Sequence, residues 1–296
     1  MPIRSWLFVP GDSEAKLAKV AGLGADVIIV DLEDAVAPAA KPAARVLAHK
    51  FLQVHRTQVL AGNRHRRWVR INALDTPFWR DDLAAVMPAA PRGIMVPKAS
   101  GPEQLRLLAA ELYELEQRSG IPTGSTQIIP LVSETAQAAL SISAYGDPAI
   151  TFPRLAGLTW GAEDLSAAIG ASRKRDANGQ WTDLFRMIRA QVLLVAHARG
   201  VPPIDTLHAD FRDTAGLKII ARAAYEDGFA GMLAIHPDQV RIINEAFTPR
   251  PEELARALAI VSAFEDAGGA GVVQLNGQML DQPHLAQARA LIERGQ

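Results

Sequence analysis

Eight short apolar runs, separated by longer segments rich in Ala, Leu, Glu and Arg, constrain the fold of this chain most strongly. The runs are Trp6–Val9, Val27–Asp31, Trp68–Ile71, Gly93–Pro97, Gln127–Val132, Leu155–Trp160, Pro203–Thr206 and Met232–Ile235. Apolar runs that alternate with helical segments are typical of βα units around a parallel sheet. Eight units in about 240 residues predict an α/β fold, a (β/α)8 TIM barrel, because such barrels are typically about 250 residues long.

The segments between the runs begin with residues that favour helix starts. Asp12 or Ser13 precedes a predicted helix at Glu14–Val20, and Pro42 suits the first turn of the next helix. An open doubly wound sheet is the alternative architecture, and it would need a phosphate-binding loop after the first strand. The residues there, Pro10-Gly-Asp-Ser13, match neither the dinucleotide-binding nor the P-loop pattern. The barrel is therefore the favoured fold.

The chain continues beyond the eighth unit. Glu252–Glu265 and His284–Arg294 have helical composition, and the Gly-rich segment Ala267–Val273 between them precedes a predicted short hairpin. The sequence therefore predicts a catalytic barrel domain at residues 1–250 and a C-terminal helical extension at residues 251–296.

Composition excludes several classes of protein. Apolar residues make up 49% of the chain, charged residues 21%, and the formal net charge is -1, so neither disorder nor nucleic-acid binding is indicated. The absence of cysteine excludes disulfides and thiolate sites. No apolar run approaches the roughly 18 residues of a membrane span, and the start shows no signal peptide, so we expect a cytoplasmic protein without a membrane partner. The basic run Arg64–Arg67 is interpreted as a solvated loop.

The residues that close the eight runs are strongly polar. They are Pro10, Gly11, Asp31, Glu33, Asp34, Arg70, Asn72, Pro97, Lys98, Glu134, Gly161, Glu163, Asp164, Asp205, Thr206, His236 and Pro237. Active sites of TIM barrels lie at the carboxyl ends of the strands, so these residues are the candidates for chemistry.

Glu134 and Asp164 are the candidate metal ligands. Each follows an apolar run where a buried strand would end. Mg²⁺ takes oxygen ligands and is usually held by one or two carboxylates, with water and substrate in the other positions. The alternative is that Ser133 and Asp164 simply cap the helices that follow.

Arg70 is the candidate substrate clamp, because a guanidinium pairs with a planar carboxylate through two parallel hydrogen bonds. It could equally form an ion pair with Glu33 or Asp34, and such an ion pair would orient it for substrate. Lys98 raises the alternative of a Schiff-base lysine, which is less favoured beside an acidic metal-type pair. His236 is more readily explained as a structural residue than as a base. The sequence contains neither an HExxH zinc pattern nor a GxSxG nucleophile elbow.

Eight motifs together resemble the beta subunit of citrate lyase and its stand-alone relatives, the CoA-ester lyases that act on malyl-CoA, citramalyl-CoA and similar thioesters. The motifs are Arg4–Gly11, Asp31–Val36, Val69–Asn72, Val96–Lys98, Ser133–Thr135, Gly161–Leu165, Ile204–Thr206 and Ile235–Pro237. The resemblance covers nearly the whole chain, and it lies in the order and spacing of the motifs.

The resemblance implies a site and a reaction. It implies Mg²⁺ held by Glu134 and Asp164, with Arg70 binding substrate oxygens and the backbone amides of the Gly161-Ala162-Glu163 turn seating the acid. It further implies that Asp281, within Gly277–Pro283, enters the site of a neighbouring subunit of a homotrimer or hexamer and transfers a proton. The reaction would be reversible cleavage of a 3-hydroxyacyl-CoA thioester, or a citryl thioester, to an acyl-CoA and an oxo acid.

Three alternatives stay open. A class II pyruvate-type aldolase without CoA is one, although by resemblance its relatives place a His where this chain has Asp34-Ala35, and they lack the C-terminal extension. Hydrolysis of the thioester, as in an acyl-CoA thioesterase, is another. The third is a non-catalytic subunit that binds CoA or an acyl carrier.

Overall fold

Eight parallel strands form a barrel within residues 2–57 and 66–295, which the computed structural model describes. The strands are β1 Ser5–Pro10, β2 Val27–Asp31, β3 Arg67–Arg70, β4 Gly93–Val96, β5 Gln127–Pro130, β6 Leu158–Thr159, β7 Pro203–Asp205 and β8 Gly231–Ala234. Their order is β5-β4-β3-β2-β1-β8-β7-β6. Parallel bridges from Ile128 to Leu155 and from Leu131 to Thr159 join β5 to β6 and close the ring. The predicted TIM barrel is confirmed.

Helices follow the strands around the barrel. In the described residues they are α1 Glu14–Val20, α2 Lys41–Gln53, α3 Trp79–Val86, α4 Pro102–Ser119, α5 Ala136–Ser141, α6 Ala162–Ala168, α7 Asp183–Ala198, α8 Thr214–Asp227, α9 Pro237–Ala246, α10 Pro251–Asp266 and α11 Gln282–Gly295. Within the described ranges no helix is long and apolar enough to cross a membrane.

The barrel interior is filled by side chains that alternate with those under the helices. The buried interior residues are Trp6, Val27, Ile29, Trp68, Met95, Ile129, Leu131, Ile204 and Leu233. The rings of Trp6 and Trp68 meet edge to face with centroids 5.5 Å apart. A Cβ at Gly93 would lie 2.3 Å from the Trp68 ring, so the glycine makes room for this indole. Strands buried on both faces explain why the runs are continuously apolar rather than alternating.

The sixth strand is shorter than the sequence predicts. Only Leu158–Thr159 has regular pairing, whereas Leu155–Trp160 was expected. Gly157 interrupts the segment, and a Cβ at Gly157 would lie 3.0 Å from the Pro202 carbonyl oxygen. Glycine weakens a strand interior, and the segment of β6 is joined to β5 by separate bridges instead of a continuous ladder.

A buried ion pair lies near the start of β5, beside the seam where the bridges between the β5 and β6 segments close the barrel. Arg154 donates to the two carboxylate oxygens of Glu116 at 2.7 and 2.8 Å. The same carboxylate accepts from the N–H groups of Gly124 and Thr126. The carbonyl of Arg154 in turn accepts from Ile128 of β5 at 2.7 Å. The pair therefore fixes the segment that leads into β6.

The C-terminal extension contains helices α10 and α11 and, between them, the predicted hairpin, formed by β9 Val272–Leu275 and β10 Gln278–Asp281. Asn276 and Gly277 form its turn with φ of 51° and 79°, the left-handed pair that favours Asn-Gly. Its buried apolar residues form a cluster separate from the barrel core and consist of Ala257, Ile260, Phe264, Val273, Leu280, Leu285 and Ala288. Arg222 of α8 forms a salt bridge with Glu253 and so links the extension to the barrel. The division into two domains at residue 250 stays a prediction.

The predicted basic loop Arg64–Arg67 is only partly described. Arg64 and His65 lie outside the described residues. Arg67 begins β3, and its guanidinium lies 5.3 Å from the centroid of the Phe51 ring.

Candidate active site

Arg70 and Asp31 form the centre of the site, at the carboxyl ends of the adjacent strands β3 and β2. Arg70 donates to both oxygens of Asp31, at 2.8 Å through Nε and 2.7 Å through Nη2. Asp31 is buried and also accepts from the N–H groups of Glu33 and Ala35. Although burial opposes ionisation, the charge and hydrogen bonds of Arg70 hold the pKa of Asp31 below its ordinary value. Asp31 therefore stays charged and fixes the guanidinium plane.

Glu33 is placed between the two cations of the site. Its Oε2 lies 3.1 Å from Nη1 of Arg70, and its Oε1 lies 2.5 Å from Nζ of Lys98. Asp34 is more exposed and lies 3.8 Å from Arg70 and 3.6 Å from Lys98. Both carboxylates thus lie next to Arg70.

Lys98 links β4 to the two candidate metal ligands. Its backbone N–H donates to Oε2 of Glu134 at 2.6 Å, and its Nζ lies 3.4 Å from Oδ1 of Asp164. Burial opposes its charge, but Glu33 and the other carboxylates raise the pKa of Lys98 above its ordinary value. A Schiff base requires a neutral amine, so this setting disfavours the aldolase-type lysine.

Glu134 and Asp164 follow β5 and β6, which are neighbours at the barrel seam. Glu134 is 2% exposed, and a Cβ at Gly161 would lie 2.9 Å from its Oε1, so the glycine permits this close approach. Burial, together with the charges of Glu33 and Asp164, raises the pKa of Glu134 to about 8 against the opposing effect of Arg70. Asp164 lies in the first turn of α6 and is partly exposed.

The turn that opens α6 brings Gly161, Ala162 and Glu163 to the same end of the barrel. The Gly161 N–H donates to Oγ of Ser133 at 3.1 Å, so this amide has an internal partner. Ala162 is buried, whereas Glu163 is partly exposed and pairs with Lys174. That these amides seat the acid stays a prediction.

The donor set fits a hard divalent cation. The carboxylates of the cluster are Asp31, Glu33, Asp34, Glu134 and Asp164, and its cations are Arg70 and Lys98. Negative charge therefore exceeds positive charge, and this excess adds to the effect of burial in raising the pKa of Glu134. Within residues 2–57 and 66–295, no group of three or more Asp, Glu or His side chains is arranged to hold a metal. Two protein carboxylates with water and substrate in the other positions suit Mg²⁺.

Two further residues support the site; Asn72 is among the strand-end candidates of the sequence, whereas Lys41 was missed by sequence reasoning. The Nζ of Lys41 is buried and donates to the carbonyl oxygens of Leu32 at 2.9 Å and Glu33 at 3.1 Å. The Asn72 amide donates to the same Leu32 carbonyl at 2.9 Å and to Asp82 at 2.7 Å. These bonds hold the loop after β2. Lys41 stands in α2 rather than at a strand end, so its sequence position gives no signal of this role.

Asp281 and His236 have local partners. Asp281 ends β10, is half-exposed, and its Oδ1 lies 2.5 Å from Nδ1 of His284. In the described part of the chain, its side-chain hydrogen bond is therefore within the extension and not to Arg70. His236 caps α9 and stacks on Phe211 with ring centroids 4.7 Å apart. The structural interpretation of His236 agrees with this geometry.

A closed barrel of eight parallel strands, with an oriented arginine, a buried acid and further carboxylates at the carboxyl ends of its strands, has the architecture of the TIM-barrel enzymes. More narrowly, residues 4–237 match the HpcH/HpaI aldolase/citrate lyase family, and the chain belongs to it. A citrate lyase subunit beta-like protein of Mycobacterium tuberculosis is 38% identical over 292 residues, which are 98% of this chain and 94% of that protein. A (3S)-malyl-CoA thioesterase of Cereibacter sphaeroides is 34% identical over 300 residues, covering 100% of this chain and 95% of the relative.

The fold is shared with a solved relative. The crystal structure of the protein CitE from Mycobacterium tuberculosis, in complex with magnesium, acetoacetate and coenzyme A, superposes with a TM-score of 0.79. It is 35% identical in sequence and covers 99% of this chain and 98% of its own. The likeness therefore includes the C-terminal extension as well as the barrel.

Proposed function

We propose that this chain is a Mg²⁺-dependent carbon–carbon lyase that cleaves, or in reverse forms, a 3-hydroxyacyl-CoA thioester such as malyl-CoA or citramalyl-CoA, giving an acyl-CoA and an oxo acid. The observation that carries the proposal is the buried carboxyl of Glu134, which follows β5 and lies, together with Asp164 after the neighbouring β6, in the cluster around Arg70 and Lys98. An acid in this setting binds either a proton or a cation. The names of the family and of the relatives, and the magnesium and coenzyme A bound by CitE, support the choice.

Glu134 and Asp164 would hold the Mg²⁺, because they supply hard oxygen donors at adjacent strand ends. When bound, the ion supplies a Lewis acid that polarises the oxygen of the oxo acid or of the alcohol from which it forms. Glycine at position 161 leaves the space that the Glu134 carboxylate occupies, since the side chain of a larger residue would clash with that carboxylate.

Arg70 would bind the negatively charged oxygens of the substrate. A guanidinium has five N–H donors. Asp31 accepts two of them and Glu33 lies 3.1 Å from Nη1, so one donor on each of Nη1 and Nη2 remains for substrate. Asp31 also fixes the plane of the guanidinium, and the Phe8 ring packs 4.7 Å from it. Preorganised donors aimed at developing charge are usually the largest contribution to catalysis in such sites.

The reaction breaks the bond between C2 and C3 of the thioester. Its electron pair passes to the thioester enolate, while the C3 hydroxyl loses its proton and becomes the carbonyl of the oxo acid. A proton then reaches C2 and completes the acyl-CoA. Arg70 stabilises oxygen charge during cleavage, and a carboxyl group is needed to move the proton.

We propose Asp281 of a neighbouring subunit as that carboxyl group, in a homo-oligomer such as a trimer or hexamer. In the β9–β10 hairpin, Asp281 stands opposite Val272, and Met279 lies on the same outward face. Val272 is 51% exposed and Met279 77% exposed. An apolar face that carries a functional acid and lacks cover in the single chain suits a contact with a second copy.

The first experiment is an assay of the purified full-length protein with malyl-CoA and with citramalyl-CoA, with Mg²⁺ and with EDTA. We expect acetyl-CoA together with glyoxylate or pyruvate, respectively, in Mg²⁺ only. Products are separated by liquid chromatography and mass spectrometry. No acyl-CoA from either thioester, or equal turnover in EDTA, would contradict the proposal.

The same assay distinguishes the other candidates. A thioesterase, favoured by the 34% identical relative of that name, would release free CoA and the intact hydroxy acid. An aldolase without CoA would cleave a free 4-hydroxy-2-oxo acid and leave both thioesters intact. A binding subunit would bind CoA and turn over none of them.

A further inference from the structure

Lys98 contacts both candidate metal ligands through two different groups. Its backbone N–H donates to Glu134 at 2.6 Å, and its ammonium nitrogen lies 3.4 Å from Oδ1 of Asp164. The ammonium is also 2.5 Å from Glu33 and 3.6 Å from Asp34. One positive charge thus occupies the middle of the carboxylate cluster.

The backbone at Lys98 has an uncommon conformation. Its φ is 51°, in the left-handed region that residues other than glycine rarely adopt. Such conformations persist where the surroundings enforce them, and they gather at functional sites. Here the N–H donates to Glu134 while the ammonium contacts Asp164, so a single residue touches both neighbouring strand ends.

We propose that Lys98 is a positioning residue whose ammonium substitutes for the divalent cation among Glu33, Asp34 and Asp164 and thereby weakens the binding of that cation. The inference rests on the proposed function. An ammonium and a metal ion compete for the same Asp164 oxygen, and they repel each other as like charges. When the metal binds Asp164, the ammonium retains Glu33 and Asp34.

A second consequence concerns Glu33. Its two oxygens face Lys98 on one side and Arg70 on the other. Because the ammonium holds Oε1, Glu33 remains beside Arg70 instead of becoming a third metal ligand. Lys98 therefore separates the carboxylates that bind the metal from the carboxylate that orients the arginine.

The test is the affinity of the metal-free, full-length protein for Mn²⁺, measured by electron paramagnetic resonance of the free ion. Mn²⁺ prefers the same oxygen ligands as Mg²⁺. We expect Lys98→Met to bind Mn²⁺ at least about tenfold more tightly than wild type, because a like charge is removed. Lys98→Arg keeps the charge and is expected to bind within about threefold of wild type.

Two further variants identify the cause. Lys98→Gly removes the ammonium and adopts the left-handed backbone without strain, so it should match Lys98→Met. Lys16→Met removes the same charge from the exposed face of α1 and should change the affinity less than twofold. Thermal melting establishes that each variant is folded. If Lys98→Met does not fold, the Mn²⁺ affinity of Lys98→Gly tests the proposal in its place.

The failures are distinguishable. If wild type binds Mn²⁺ and loss of the ammonium leaves the affinity unchanged or weaker, the role of Lys98 is wrong while the proposed metal site stands. If Lys98→Gly binds Mn²⁺ more tightly than wild type and Lys98→Met does not, the effect comes from backbone strain, and the proposed role of the Lys98 charge is also wrong. If wild type binds no Mn²⁺, both the metal site and the role of Lys98 are wrong.

Discussion

Asp31 and Arg70 stand opposite each other in the paired strands β2 and β3, and this register makes their two hydrogen bonds possible. Both side chains are nearly buried, so the ion pair is strong only because its geometry is bidentate. A flexible ammonium in place of the guanidinium would keep the charge and lose the planar fork. The requirement at position 70 is therefore for the shape of arginine as well as its charge.

We predict that Arg70→Lys lowers kcat/KM at least about 30-fold, since losing one charged hydrogen bond in the transition state costs about 2 kcal/mol. Arg67→Lys makes the same change at the other end of β3 and should retain activity within about twofold. Steady-state assays of both variants with the thioester substrate decide this. Arg70→Lys activity within twofold of wild type would remove Arg70 from contact with substrate.

Some site residues could be found from sequence and others could not. Arg70 lies near the end of an apolar run, Glu134 and Asp164 follow theirs, and the fold brings all three to one end of the barrel. The pairing of Arg70 with Asp31 required the register of β2 against β3. The position of the Lys98 ammonium required the path of its left-handed backbone, which composition and periodicity do not determine.

At the scale of elements, the seam between β5 and β6 depends on the Glu116–Arg154 pair. Glu116 lies in α4, is fully buried and accepts four hydrogen bonds from Arg154, Gly124 and Thr126. Although burial opposes ionisation, these bonds hold the pKa of Glu116 below its ordinary value. The ionised carboxylate therefore stabilises the fold above the unfolded-state pKa, and that stability is lost as pH falls through the folded-state pKa.

We predict that Glu116→Gln lowers the free energy of unfolding by about 3 kcal/mol at pH 7, because it leaves Arg154 buried without its counter-charge. The difference from wild type should shrink at pH 4, where wild-type Glu116 begins to lose its advantage. Urea unfolding at both pH values measures this. Glu114→Gln, an exposed change on the same helix, should stay within about 0.5 kcal/mol of wild type. A pH-independent difference would contradict the assignment.

Most elements of the fold could be predicted because strands buried on both faces give continuous apolar runs. Strands β2, β4, β5 and β7 begin at the first residues of the predicted runs. The prediction for the sixth run was too long, since Gly157 interrupts it and only Leu158–Thr159 is regularly paired. The apolar pattern does not distinguish a paired strand from an extended segment.

At the scale of the whole molecule, the extension carries Asp281 on the exposed face of its hairpin. We predict that co-expressing Arg70→Ala with Asp281→Asn in one cell restores activity that each variant lacks alone. If each site takes Arg70 from one chain and Asp281 from its neighbour, random assortment leaves roughly a quarter of the sites intact. If each chain supplied its own acid, every site would keep one lesion and the mixture would remain inactive.

The central claim is that Glu134 and Asp164 hold a divalent cation on which turnover depends. The measurement is the rate of thioester cleavage by metal-free protein as Mg²⁺ is added, for wild type, Glu134→Gln and Asp164→Asn. We predict that wild type is inactive without the ion and recovers fully with it, whereas both variants stay at least about 100-fold slower at every Mg²⁺ concentration and melt within a few degrees of wild type. Wild-type turnover without any divalent cation, or an Asp164→Asn variant with a wild-type Mg²⁺ dependence, would contradict the account.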